Sequence, residues 1–224
     1  MIMIKDFGIR LTLLLLLVGN HSFSQPSTVL PRDESAKDTS LASMVMNLKR
    51  IVNTKDFNAL LTHIHPEIQI GFDGSNGKKA FTEEWGGKTN QTKLWPVLKR
   101  IMDMGGVFIK EDPKNMFVFP YAYQVELGEV EDAYNLFMVT GKNVNVREEP
   151  SLTAKVIGKL SYNVVTRDFS IPEKDNSEWL LITTLDKKIK GHVHRDFLYS
   201  PSDHRLFLKK EKNTWLVYMF LAGD

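Results

Sequence analysis

The sequence of 224 residues contains no cysteine. A chain without cysteine forms no disulfide, so packing alone has to stabilise its core. The absence also excludes the lipid-modified cysteine that anchors bacterial lipoproteins. With 42% hydrophobic residues, the chain has enough apolar side chains to build one or two packed domains.

A large excess of charge of one sign is missing as well. The 29 lysine and arginine residues nearly balance the 27 aspartate and glutamate residues, which leaves a formal net charge of +2. Binding to nucleic acid or to an anionic membrane surface relies on a basic field that this composition does not supply. We therefore expect no nucleic-acid partner.

An apolar run near the N-terminus is short for a membrane span. Residues 11–18 follow a positively charged end, and Ser22 and Ser24 place small side chains where a signal peptidase reads the chain. A membrane-spanning helix needs about 20 apolar residues. The pattern predicts a signal peptide over residues 1–24 and a periplasmic or secreted chain that begins near Gln25, with no stable membrane insertion after cleavage. An uncleaved membrane anchor is the alternative interpretation.

Helical periodicity dominates the next part of the chain. Residues 25–39 are polar and contain prolines, so we interpret them as a linker. A first helix is predicted from an apolar stripe formed by Leu41, Met44, Val45, Leu48, Ile51 and Val52. A second helix is predicted over residues 55–64 with Thr54 as its N-cap, and a third over residues 93–104.

Two strand-like segments complete this first region. Residues 68–72 alternate in polarity, and residues 116–123 are apolar with a proline that indicates an edge or a bulge. Helices that mostly precede strands predict an α+β domain over residues 40–134.

From residue 135 onward the segments are short and strand-like. Turn residues separate five or six of them, which predicts a small β-barrel that closes its own edges over residues 135–202. Four segments carry a recognisable order of motifs: Val-Asn-Val-Arg-Glu-Glu-Pro-Ser at 144–151, Val-Ile-Gly-Lys-Leu at 156–160, Glu-Trp-Leu-Leu-Ile at 178–182 and Gly-His-Val-His-Arg-Asp-Phe-Leu at 191–198.

In these motifs, residues 137–200 resemble the bacterial SH3-like (Src-homology-3-type) domain. The resemblance implies a small barrel that binds a peptidoglycan stem peptide or an extended protein segment, since SH3-type domains bind peptides in aromatic-lined grooves. His192 stands where the family usually has Trp or Tyr. The ligand-binding candidates are Tyr162, His192, Tyr199 and Trp179, with a core position as the competing interpretation of Trp179 and of Phe197.

The first region is similar over about thirty residues to small exported α+β domains of the nuclear-transport-factor-2-like superfamily. The matching segments are residues 55–61, 64–66 and 68–72.

Catalytic chemistry finds little support in the sequence. The absence of cysteine excludes the Cys–His pair of the commonest cell-wall peptidases, and no Gly-x-Ser-x-Gly elbow is present. The pairs His63/His65 and His192/His194 each lack a third metal ligand. Acidic residues such as Glu83, Glu84, Glu126, Glu129, Glu131 and Asp132 are more typical of a solvated face.

We therefore expect a non-catalytic binding protein of the cell envelope, without metal or cofactor. A structural or accessory protein without its own ligand is one alternative. A hydrolase with its site in the N-terminal domain is another.

The C-terminal residues predict a hairpin that is apolar on both faces. Such a hairpin is barely stable by itself in water, so it has to pack on another element. Because the first region is short of strands, we predict that residues 203–224 return to it and complete its sheet. The barrel would then be an insertion between residues 40–134 and 203–224. A C-terminal extension of the barrel is the alternative.

Overall fold

The computed structural model describes residues 27–74, 76–125, 135–170 and 178–223. The predicted signal peptide and the acidic residues between 126 and 132 lie outside the described residues.

The first helix, α1 (Thr39–Thr54), begins where the Asp38 carboxylate accepts hydrogen bonds from the backbone N–H groups of Ser40 and Leu41. It ends at Lys55, which adopts a left-handed conformation with φ of 54°. The predicted apolar stripe is confirmed, because all six of its side chains are buried.

The second helix is shorter than predicted. Helix α2 spans Phe57–Thr62 and is capped by Asp56, whose carboxylate accepts from the N–H of Ala59. Thr54 is not its N-cap, because the Thr54 hydroxyl donates to carbonyl groups of α1. Strand β1 (Ile64–Gln69) follows and includes Pro66, which an edge strand tolerates.

Two further helices, α3 (Gly77–Trp85) and α4 (Lys88–Asp103), lie before the next strands. Sequence periodicity missed α3 because it buries a single side chain, Phe81, and so shows no stripe. Helix α4 extends five residues further toward the N-terminus than predicted.

One sheet contains β1 and four further strands: β2 (Val107–Phe108), β3 (Met116–Phe119), β11 (Arg205–Glu211) and β12 (Thr214–Leu221). Its strand order is β1-β12-β11-β3-β2. Strand β1 is parallel to β12, and the other pairs are antiparallel. The C-terminal hairpin supplies two of the three inner strands, so the end of the chain returns to the first region.

Strand β3 ends before its predicted limit. Pro120 follows it and carries no N–H for a further ladder bond. Residues Tyr121–Gln124 then form a 3₁₀ turn.

The second sheet contains seven strands: β4 (Leu136–Val139), β5 (Val144–Arg147), β6 (Val156–Leu160), β7 (Val164–Arg167), β8 (Trp179–Thr184), β9 (Lys190–His194) and β10 (Leu198–Tyr199). All are antiparallel to their neighbours, in the order β10-β4-β7-β8-β9-β5-β6.

The closed barrel that the sequence predicts is not found. Closure requires hydrogen bonds between the two end strands. Among the described residues, β10 pairs with β4 alone and β6 pairs with β5 alone. Strand β10 is only two residues long, which leaves it little backbone for a second partner.

Three clusters of buried apolar side chains occupy the described part of the chain. One lies between the helices and one face of the five-stranded sheet, and another fills the interior of the second sheet. The third cluster joins the two sheets; we call it the shared cluster, and it includes Val118, Phe207, Met138, Val164 and Tyr199.

The segment predicted as a linker also belongs to this packing. Val29 is buried in the shared cluster, its N–H donates to the carbonyl oxygen of Tyr162 at 2.8 Å, and its own carbonyl accepts from the Tyr121 hydroxyl at 2.9 Å. From residue 27 onward this segment is therefore part of the folded unit, not a free spacer.

None of the helices in the described ranges combines the length and the hydropathy that crossing a membrane requires.

Candidate functional site

A groove of about 430 Å³ lies on the outer face of strands β5, β8 and β9. Its lining combines aromatic, amide and charged side chains. These residues are Lys142, Asn143, Val144, Asn145, Arg147, Leu152, Trp179, His194, Asp196 and Phe197.

The strand alternation explains why these side chains face outward. In β8, Leu180 and Ile182 are buried, so Trp179 projects from the opposite face. In β9, Gly191 and Val193 are buried, and His194 projects outward in the same way.

Trp179 and His194 are directly paired across β8 and β9. Their ring centroids are 5.1 Å apart and their planes meet at 85°, which is an edge-to-face contact. Phe197 continues the row, with its centroid 6.5 Å from that of His194. We call Trp179, His194 and Phe197 the aromatic row.

A glycine lets β9 approach β5 closely. A Cβ atom at Gly191 would lie 2.7 Å from the carbonyl oxygen of Arg147 and 2.8 Å from a methyl group of Val146. Only glycine fits this position without moving the backbone of β5, whose Asn145 and Arg147 form one wall of the groove.

Two carboxylates flank the His194 ring. The Asp196 carboxylate lies 3.4 Å from Nδ1 and the Glu178 carboxylate 3.9 Å from Nε2, and both side chains are exposed. The backbone N–H of Asp196 donates to Nδ1 at 3.3 Å. A neutral His194 therefore carries its proton on Nε2, because Nδ1 acts as an acceptor.

Arg147 lies at the end of β5 and is half-buried. Its Nη1 donates to the carbonyl oxygen of Ala154 at 2.6 Å, which ties the guanidinium to the turn that follows β5. Leu152, on the same turn, is 74% exposed and forms an apolar edge of the groove.

Arg100 of helix α4 in the first region forms hydrogen bonds with the segment of the groove lining around residues 195–198. The Arg100 guanidinium donates to the carbonyl oxygen of Leu198, and at 3.4 Å to that of Arg195. The N–H of Thr140 donates to the carbonyl oxygen of Phe197 at 2.9 Å. These bonds fix the 3₁₀ turn Arg195–Phe197, which presents Phe197 and Asp196.

Of the four sequence-predicted candidates, the structure places one in the groove lining. Trp179 lines the groove and is half-buried, so its interpretation as a core residue is wrong. The same interpretation is wrong for Phe197, which is 47% exposed. His192 lies on the same outer face as His194 but outside the lining, with Nδ1 3.2 Å from the carbonyl oxygen of Glu148.

Tyr199 is wrong as a ligand-binding candidate. It is 1% exposed and packs in the shared cluster, where burial raises the pKa of its hydroxyl. Tyr162 is also outside the groove lining. It adopts a left-handed backbone with φ of 57° and exchanges backbone hydrogen bonds with Gly141 and Val29.

Sequence reasoning missed His194, Arg147, Asn145 and Leu152 as parts of the site. The signal for His194 was present, because residues two apart on β9 share a face and His192 was already a candidate. Leu152 carried no signal, since a lone apolar residue in a turn is common.

In the first histidine pair, the two side chains contact different residues. His63 Nε2 lies 2.9 Å from the Asn47 amide nitrogen, and burial lowers the pKa of His63. His65 Nε2 instead lies 3.3 Å from the Glu211 carboxylate. Within the described residues, no group of three or more potential ligands could hold a metal ion.

The core of the first region encloses a cavity of about 10 Å³. All its lining side chains are apolar, including Leu48, Phe81 and Phe220, so it presents no acid or base.

Comparison with protein-family models, with curated proteins and with solved structures finds no match for this chain.

Proposed function

We propose that this protein is an exported, non-catalytic binding protein of the cell envelope. Its ligand is an extended peptide, a peptidoglycan stem peptide or a segment of an envelope protein, held in the groove along β5. The observation that carries the proposal is the aromatic row at the wall of a groove of about 430 Å³.

The composition of the groove suits a peptide. Aromatic faces give contact area at a low cost in side-chain entropy, and peptide-binding domains use such surfaces for extended segments. Asn143 and Asn145 add amide groups that can donate to a peptide carbonyl and accept from a peptide N–H. The groove thus offers both apolar contact and partners for a ligand backbone.

The envelope location rests on the N-terminal pattern, and the ligand class draws on the resemblance of residues 137–200 to SH3-like domains. Neither a cofactor nor nucleic acid enters the proposal.

A pull-down on purified peptidoglycan tests it. We expect the exported protein to sediment with peptidoglycan and Trp179→Ala to lose at least tenfold in affinity, as aromatic hot-spot residues do. The matched control is Phe169→Ala, which removes an exposed aromatic ring outside the groove lining. Equal sedimentation of the Trp179→Ala and Phe169→Ala proteins would contradict the proposal.

A second candidate, a structural or accessory role, is favoured by the shared cluster. The second sheet shares a buried cluster with the first, and in this role its main contribution is to stabilise the folded protein. In that case the parent protein would retain neither peptidoglycan nor envelope peptides, while disruption of the shared cluster would still unfold it.

A further inference from the structure

We propose that Arg147 is the carboxylate-binding group of the groove, so the ligand is a peptide that presents a free carboxylate beside Leu152. The inference rests on the proposed function, because it assigns the ligand chemistry of the same groove.

The Arg147 guanidinium is held in place before any ligand binds. Its Nη1 already donates to the carbonyl oxygen of Ala154 at 2.6 Å, and the side chain is half-buried against the groove wall. This is its one hydrogen bond to the described residues, and guanidinium has five N–H donors in a rigid fork. The remaining donors are available to a ligand, and a planar fork fits a carboxylate with two parallel hydrogen bonds.

No carboxylate of the protein neutralises Arg147 within the described part of the chain. Asp196, the acidic residue of the groove lining, lies beside His194 on the 3₁₀ turn. The backbone N–H of Thr140, four residues before β5 begins, donates to the carbonyl oxygen of Phe197 on that turn. Arg147 is at the other end of β5, three residues beyond Val144, or about 10 Å at the strand rise per residue.

The placement of the acidic side chains favours an anionic group of the ligand at Arg147. Asp196, the carboxylate of the groove lining, lies beside His194, and so does the Glu178 carboxylate. A peptide that lies along β5 would place its apolar part on the aromatic row and a carboxylate at Arg147. An α-carboxylate at a chain end and an acidic group within a stem peptide offer the same chemistry.

Fluorescence polarisation with defined peptides tests the assignment. The probe is the stem pentapeptide L-Ala–D-isoGlu–L-Lys–D-Ala–D-Ala, labelled at its N-terminus, used with both carboxylates free, with the C-terminal carboxylate amidated, or with the isoglutamate carboxylate amidated. A linear L-peptide with a free or amidated C-terminus represents protein segments. The parent protein, expressed from the full chain, is compared with Arg147→Gln, Arg147→Met and the control Lys155→Gln, an exposed cation outside the groove lining.

We expect amidation of one carboxylate to weaken binding to the parent at least tenfold, the size of a hydrogen-bonded charge contact. The same amidation should change binding to Arg147→Gln and Arg147→Met less than twofold, whereas Lys155→Gln should behave like the parent. The position at which amidation weakens binding identifies which carboxylate of the ligand Arg147 binds.

Equal binding of acid and amide peptides by the parent would overturn the carboxylate assignment and leave the peptide-binding groove intact. A preference that persists in both Arg147 variants would show that another group reads the carboxylate. Absence of binding by every peptide would overturn the proposed function together with this inference. The comparison of acid and amide peptides uses the parent protein alone, so it tests the carboxylate assignment even if the Arg147 variants do not fold.

Discussion

The two halves of the second sheet have opposite surroundings. Strands β10, β4 and β7 contribute Tyr199, Met138 and Val164 to the shared cluster, where the five-stranded sheet covers them. Strands β8 and β9 instead turn Trp179 and His194 outward into the groove, and β5 adds Asn145 and Arg147 to the groove wall. One half of the sheet is thus committed to stability, which leaves the other half available for recognition.

Phe197 and Tyr199 show the contrast within three residues. Phe197 is 47% exposed in the groove, whereas Tyr199 is 1% exposed in the shared cluster. Both are aromatic residues, and only Leu198 separates them in the sequence. Their roles are separated by what packs against each side of the sheet, not by their chemistry.

The largest expected effect concerns this pair. Tyr199→Ala should lower the free energy of unfolding by about 3–5 kcal/mol, the cost of truncating a large buried aromatic residue. Phe197→Ala should stay within about 1 kcal/mol of the parent, because Phe197 is 47% exposed and belongs to none of the three buried clusters. Chemical denaturation measures both values, and similar losses for the two variants would remove the distinction between the halves.

The contrast between Phe197 and Tyr199 could not be predicted from the sequence, whereas local patterns could. Periodicity identified the stripe of α1 and the hairpin that forms β11 and β12, because each pattern is local. It predicted five or six strands for the second sheet, which has seven. It did not place Tyr199, since alternation shows that one face is apolar without showing what covers it. The predicted closure failed for the same reason, because pairing of end strands depends on distant backbone and not on local pattern.

The candidate site was harder to predict than the fold. Trp179 was identified from a family resemblance, but its groove is completed by Leu152 on a turn and by Phe197 on a segment held by Arg100 of α4. Contacts between segments almost a hundred residues apart leave no local pattern in a single sequence.

A smaller effect on stability is expected at Trp179. Its ring is half-buried and contacts His194 edge to face, so Trp179→Ala should lower the free energy of unfolding by about 1–3 kcal/mol, because the variant loses both the aromatic pair and part of a buried apolar surface. The measurement is the same denaturation series. A loss of stability as large as that of Tyr199→Ala would show that Trp179 is a core residue and would argue against its role in the groove.

The smallest effect is a dependence on pH that reports whether the two regions unfold together. In the first region, hydrogen bonds from Lys210 and Ser40 hold the pKa of Asp38 well below its usual range. In the second, hydrogen bonds from Ser170, joined by Lys190, do the same for Asp168. A carboxyl group with a lowered folded-state pKa contributes stability above its unfolded pKa of about 3.9, and this stability is lost as the pH falls below that value.

Asp38→Asn and Asp168→Asn should therefore each reduce stability at pH 7 and flatten its decline toward pH 2. Because the shared cluster joins the sheets, we expect both substitutions to shift one common transition, followed by circular dichroism and by tryptophan fluorescence. Exposed Glu83→Gln is the control. Two separate transitions, each shifted by only one substitution, would mean that the regions unfold independently.

Amide chemical shifts of ¹⁵N-labelled protein titrated with the stem pentapeptide locate the binding surface directly. We expect the shifted amides to cluster on β5, at Trp179 and at residues 194–197, while those of the shared cluster stay in place. Shifts confined to the first region, or no saturable shifts at all, would contradict the assignment of the outer half of the second sheet as a binding surface.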